Sequence, residues 1–290
     1  MGRLALWVAL WCCATGSGMA QSFDGLRAIH SGLAQCEGDA CLAVHDTLVT
    51  ALEELLSQPG AMQDLPTNTD FMASVASEDG ALRVFTWNWA HPDRTSGYGG
   101  LVAHADEDGD LTFTRLLDPS SADAPNERDI LGVEDWCGAL YYAMVPQPVD
   151  KGVWLLLGWD DADAQVTRKV IEPLHIKTRG LRFGAPVLQS ERGIQRRHVL
   201  EYADAVQASL RHQPKKGGKD GHPERILFDH LAPQEPHLTG VTAYYGPDMT
   251  FDAYVPAKRG GAWVLVQQVE AIQPLQNDRP FNDPRPRNRR

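Results

Sequence analysis

The sequence predicts a mainly β fold: an antiparallel β domain preceded by a small helical hairpin. Three observations carry this. From about Leu82 onward, short apolar runs rich in β-branched and aromatic residues recur, with Gly, Asp, Asn or Pro at the breaks. No long run in that region has clean helical spacing, so strand follows strand without intervening helices. Residues 23–58 differ, repeating leucine and isoleucine at three- and four-residue steps. Sandwich, barrel and partial propeller all fit the β region, and no internal repeat singles out the propeller.

Residues 1–20 read as a signal peptide. Arg3 precedes the apolar run Leu4 to Ala14, and Gly18 and Ala20 occupy small-residue cleavage positions. A helix over that run reaches only about 16 Å, against roughly 30 Å of hydrocarbon, too short for an anchor. The expected product is exported, periplasmic or extracellular. It begins at Gln21 and has no transmembrane segment. Cys12 and Cys13 leave with the signal. In an oxidising compartment, Cys36 then pairs with Cys41 across "EGDA", and Cys137 stays alone.

Residues 21–62 form the expected hairpin. Leu26, Ile29 and Leu33 line one helix, and Leu48, Leu52, Leu55 and Leu56 the next, with a turn at Gly38 and Ser22 or Asp24 as the first cap. A linker over 63–80 follows, marked by Pro66, Thr67 and Asn68. The β domain spans 81–272. In "LRVFTWNW", Phe85, Trp87 and Trp89 share one face, with Leu82, Val84 and Thr86 on the other. "GGLVAHA", "DLTFTRLL", "ALYYAMV", "VWLLLGW", "QVTRKVIE", "RHVLEYA", "RILFDHL", "MTFDAYV" and "AWVLVQQV" are the further strands. Residues 273–290, ending "RPRNRR", read as a disordered tail. The whole chain carries a net charge of −11. That disfavours nucleic acid as a partner, because phosphate binding on that scale needs a basic surface.

The order "FTWNW", "CGALYY", "LLLGWD", "KVIE", "FGAPV", "LEYA", "ILFDHL" and "YYGPDMTFDAY" resembles a family of exported proteins of Gram-negative bacteria. The resemblance covers roughly residues 77–270. It implies that the β region is a recurring exported module, and it brings no assigned catalytic residues.

Two acidic clusters read as turns. "DDADA", with Asp160, Asp161 and Asp163, and "DEDGD", from Asp106 to Asp110, each separate two strand-like runs. Neither supplies the glycine and glutamate spacing of a calcium loop, so no metal is expected and calcium-dependent adhesion is a weak option. The most suggestive polar set is Asp229, His230, Asp248 and Asp252. An Asp–His pair can orient an imidazole as a general base, and paired carboxylates can divide acid and base roles. Regular alternation opposes this, since Asp229 and His230 are neighbours and point to opposite faces. Cys137 reads as a small buried residue more readily than as a nucleophile. The many Trp and Tyr residues read as core rather than as a sugar platform. No nucleophile motif, phosphate loop or cofactor fingerprint is present. The sequence therefore favours a non-catalytic binding or structural module of the cell envelope. An envelope hydrolase built on the Asp/His set is the rival.

Overall fold

Strand alternation and burial together decide where each element sits. In the computed structural model, which describes residues 22–269 apart from 68, 92–93, 107, 119–123, 149, 151, 178–179, 219–220 and 259–260, a helical hairpin is followed by fifteen strands in three sheets. The expected signal peptide and the expected disordered tail lie outside the described residues.

Helix α1 (Phe23–His30) is capped by Ser22, whose hydroxyl accepts the Gly25 N–H at 3.0 Å. A 3₁₀ turn (Ser31–Ala34) leads to α2 (Asp39–Leu56) and the short α3 (Ala61–Asp64). Cys36 and Cys41 form the expected disulfide at the bend, and Cys137 is free. The helices bury Leu26, Leu33, Leu48 and Leu52 against the first sheet, of order β1 (Ala73–Ala76), β2 (Leu82–Ala90), β3 (Ser96–Ala105), β4 (Leu111–Asp118).

Strand β2 behaves as its alternation implies. Phe85, Trp87 and Trp89 pack with the helices, while Leu82 and Val84 join the core behind the sheet. Both faces are covered, so the strand is largely buried along its length, polar Arg83 and Thr86 included. Gly97 and Gly99 of β3 lie beneath the two indoles. A Cβ on Gly99 would sit 2.3 Å from His45 Nδ1 and 2.7 Å from Trp87 Nε1, so a side chain there has no room. The stretch expected to be a linker, 63–80, contains β1, paired antiparallel with β2. The buried Arg83 guanidinium donates to the carbonyls of Met62, Leu65 and Pro66 and to Ser74 Oγ, tying that stretch to the sheet.

The second sheet takes β5 (Leu140–Pro146), β6 (Val153–Asp160), β7 (Val166–Lys177) and β11 (His198–Ala203) in the order β11-β7-β6-β5, with β8 (Gly180–Phe183) also on β7. The third sheet comprises β9 (Leu188–Ser190), β10 (Gly193–Gln195), β12 (Leu210–Gln213), β13 (Arg225–Pro233), β14 (Tyr245–Pro256) and β15 (Trp263–Val266). Its order is β10-β9-β15-β14-β13-β12, and among the described residues every strand pairing is antiparallel except β9 with β15. Leu156 of β6 packs toward the first sheet with Tyr141 and Leu174. Leu155 and Leu157 pack toward Ile226, Phe228, Tyr254 and Trp263 of the third. The three architectures left open by the sequence thus resolve into open sheets stacked face to face, with the helices as an outer layer.

The acidic turn at 160–164 does more than reverse the chain. Asp163 Oδ1 accepts the Gln165 and Val166 N–H groups, as a turn residue does. Asp161, however, accepts the Ser96 and Tyr98 hydroxyls at 2.9 and 2.8 Å, clasping the first sheet to the second. Asp160 is buried at the head of a row across three strands. Arg168 Nη1 donates to its Oδ2 at 3.1 Å, and Arg168 Nε to Glu201 Oε1 at 2.9 Å. Asp106 Oδ1 likewise accepts the Asp108 and Asp110 N–H groups in the β3–β4 turn.

Candidate functional site

The polar set lies on the third sheet, where β13 pairs with β14. Pairing is regular up to Asp229 opposite Phe251, then resumes with Leu231 opposite Pro247. One residue of β13, His230, therefore faces three of β14, Asp248 to Thr250. The bulge begins between the neighbours Asp229 and His230, which make separate contacts, as strand alternation implies. Met249 at its crest takes φ = 71° and is exposed.

Only two of the four candidates bond to each other. His230 Nδ1 meets Asp252 Oδ2 at 2.8 Å, and the other carboxylate oxygen of Asp252 accepts the Gln268 N–H at 3.0 Å. Asp252 is buried, whereas the His230 ring is about one-third exposed. The contact places Nδ1 against the carboxylate and leaves Nε2, on a partly exposed ring, without a hydrogen-bond partner among the described residues. Asp248 accepts the Thr250 N–H and hydroxyl. Those bonds, with a smaller contribution from nearby His230, hold its carboxyl below the usual range. Asp229 points elsewhere and accepts the Ser209 N–H across the sheet. The structure therefore assembles a dyad within the expected set and gives Asp229 and Asp248 backbone-satisfying roles.

The other readings are placed as well. Cys137 is partly buried, and desolvation, with Glu172 close by, pushes its thiol well above the usual range, which opposes a nucleophilic role. Trp87, Trp89, Trp136 and Tyr141 are buried, which removes them from any sugar platform. Among the described residues, no group of three His, Cys, Asp or Glu side chains is arranged to hold a metal ion, and no helix is long and apolar enough to cross a membrane.

A second polar region was not singled out from the sequence. Arg128, Arg192 and Arg196, with Pro186 and Ile194, line an open groove of about 450 Å³. Among the described residues none of the three guanidiniums has a carboxylate within 4.0 Å. The signal for it was "ERGIQRRH", a concentration of arginine in an acidic chain. It reads as an ordinary charged turn until Arg128, far away in sequence, is placed beside it. No family model, curated protein or solved structure matches this chain.

Proposed function

We propose that the chain is an exported, non-catalytic binding module of the cell envelope. The observation that carries this reading is how the candidate carboxylates are used. Asp229, Asp248 and Asp252 each accept a backbone N–H group around the irregular pairing of β13 with β14. Export is supported by the character of residues 1–20 and by a disulfide suited to an oxidising compartment. The resemblance to exported proteins of Gram-negative bacteria points the same way.

A hydrolase is the second reading, favoured by one geometric fact: His230 is oriented by a buried Asp252 and keeps Nε2 free. One comparison separates the two. Wild-type protein and His230→Ala are assayed against phosphoester, acyl-ester and peptidoglycan substrates, with folding checked by circular dichroism. The expected result is no turnover that depends on His230. A folded His230→Ala protein whose activity falls at least about a hundredfold would establish the enzyme instead. N-terminal sequencing of protein recovered outside the cytoplasm should begin at Gln21, and an intact Met1 there would overturn the export reading.

A further inference from the structure

We propose that the groove between Arg128, Arg192 and Arg196 binds a small ligand through its phosphoryl groups. The inference rests on the reading of the chain as a binding module and names what it binds.

Charge comes first. The chain is acidic, with a net charge of −11, yet no acidic residue lines this groove. Three guanidiniums held together repel one another, and the usual remedy, a neighbouring carboxylate, is missing among the described residues. A concave surface lined by one sign of charge concentrates counter-ions of the other.

Both walls of the groove are held in place. Arg197, fully buried, donates from Nε to Glu172 and spends its remaining donors on the carbonyls of Asn126, Asp129 and Phe183. The Glu127 carbonyl accepts the Arg196 N–H, and the Arg196 Nε donates to the Arg128 carbonyl at 2.9 Å. That leaves the outer Arg196 nitrogens uncommitted. Arg128 Nη2 reaches the Arg192 carbonyl at 3.4 Å, and the Ser190 hydroxyl accepts the Arg192 N–H at 3.2 Å in the β9–β10 turn. Little of the backbone then needs ordering when a ligand enters.

Shape and valence choose the ligand class. A guanidinium presents paired N–H groups that match two oxygens of one phosphoryl or carboxylate group. Three such forks exceed what a single carboxylate can accept. A phosphate monoester or a pyrophosphate supplies three or more terminal oxygens and at least about two negative charges near neutral pH. Ile194, 62% exposed beside the arginines, offers an apolar contact to the rest of the molecule. The groove's size suits a small molecule or one lipid headgroup.

Calorimetric titration of the full chain at low ionic strength tests this, with pyrophosphate and citrate as soluble probes. Sedimentation with phosphatidylcholine vesicles, with and without phosphatidic acid, tests the membrane source. Pyrophosphate should bind and citrate should bind at least about tenfold more weakly. The Arg192→Gln/Arg196→Gln variant should lose at least about tenfold in affinity. Lys215→Gln/Lys216→Gln, which removes the same charge elsewhere, should lose less than about twofold. Arg192→Gln alone, whose side chain makes no hydrogen bond among the described residues, serves if the double variant misfolds. Pyrophosphate binding without vesicle binding assigns a soluble ligand. Vesicle binding that needs both phosphatidic acid and the arginines assigns a lipid phosphate. Equal binding of citrate overturns the phosphoryl assignment. No binding of either phosphoryl probe, or equal loss in the lysine variant, overturns the site. Those failures leave the His230 comparison untouched, so a wrong ligand is distinguishable from a wrong function.

Discussion

The second and third sheets use the same residue types to opposite ends. The second is covered on both faces, by the first sheet and by the third, so its charges must neutralise one another internally. Glu172 and Arg197 are both fully buried at 3.1 Å, and Asp160, Arg168 and Glu201 form a row across three strands. The third sheet packs one face on the second, and several of its polar groups reach the surface: His230 is partly exposed at the bulge, and Asp248 and Arg192 of the β9–β10 turn are exposed. The difference teaches that a charged residue in this chain is informative only once its layer is known. In the middle layer a charge reports packing, and in the outer layer it is free to meet a ligand.

The largest expected effect breaks the middle layer. Glu172→Ala leaves Arg197 as an uncompensated buried charge and should lower stability by about 3–5 kcal/mol. Asp252→Ala, on the outer layer, should lose only about 1–3 kcal/mol, since water can reach the partly exposed His230 ring. Urea denaturation of both variants compares them, and equal losses would break the distinction between the layers. Next is Gly99→Ala beneath His45 and Trp87, where overpacking should lower stability by about 1–3 kcal/mol. A melting temperature within a degree of wild type would mean the helices can lift off the sheet freely.

Replacing both Cys36 and Cys41 by Ser should lower stability by about 2 kcal/mol, because the closed loop is short. A smaller effect comes from pH. Burial pushes His45 below its ordinary value of 6.5, against the attraction of Asp46 and with the repulsion of Arg115. His30 and His175 are lowered for the same leading reason. A histidine whose folded value is depressed stabilises fully above the unfolded value and loses that contribution as pH falls below about 6.5. Thermal melts from pH 7.5 down to 5.5 should therefore show declining stability, at most about 1.4 kcal/mol per pH unit for each histidine. His45→Gln should flatten the slope. Smallest of all, His230→Ala should shift stability by less than about 1 kcal/mol, since its ring is partly exposed.

The fold class was legible because periodicity records burial, and burial here is extensive. "VWLLLGW" is apolar throughout because β6 faces two cores, and "FTWNW" alternates between two different cores. The short strands β1, β8, β9, β10 and β12 were missed. Their few residues include Ser, Gly, Arg and Gln, and they are strands only because a longer neighbour offers its edge. The dyad was only half legible. Local alternation rightly separated Asp229 from His230, but the meeting of His230 with Asp252 depends on pairing between segments distant in sequence. Arg83 and Arg197 look like surface residues in sequence, because the carbonyls that satisfy them come from segments elsewhere in the chain.

The parallel pairing of β9 with β15 has a consequence for the order in which the molecule can be completed. The helices, the first sheet and most of the second are finished by contacts among residues that have already left the ribosome by Ala203. Leu188 pairs with Trp263, so the β9–β10 hairpin waits for some seventy more residues, a span on which loop-closure entropy weighs against early pairing. That hairpin carries Arg192, and Ile194 stands in its second strand. A chain arrested or clipped before Trp263 would keep its helical end and the Arg196 and Arg197 contacts with residues 126–129, and lose the parallel neighbour of β9. One wall of the groove is thus braced early and the other late.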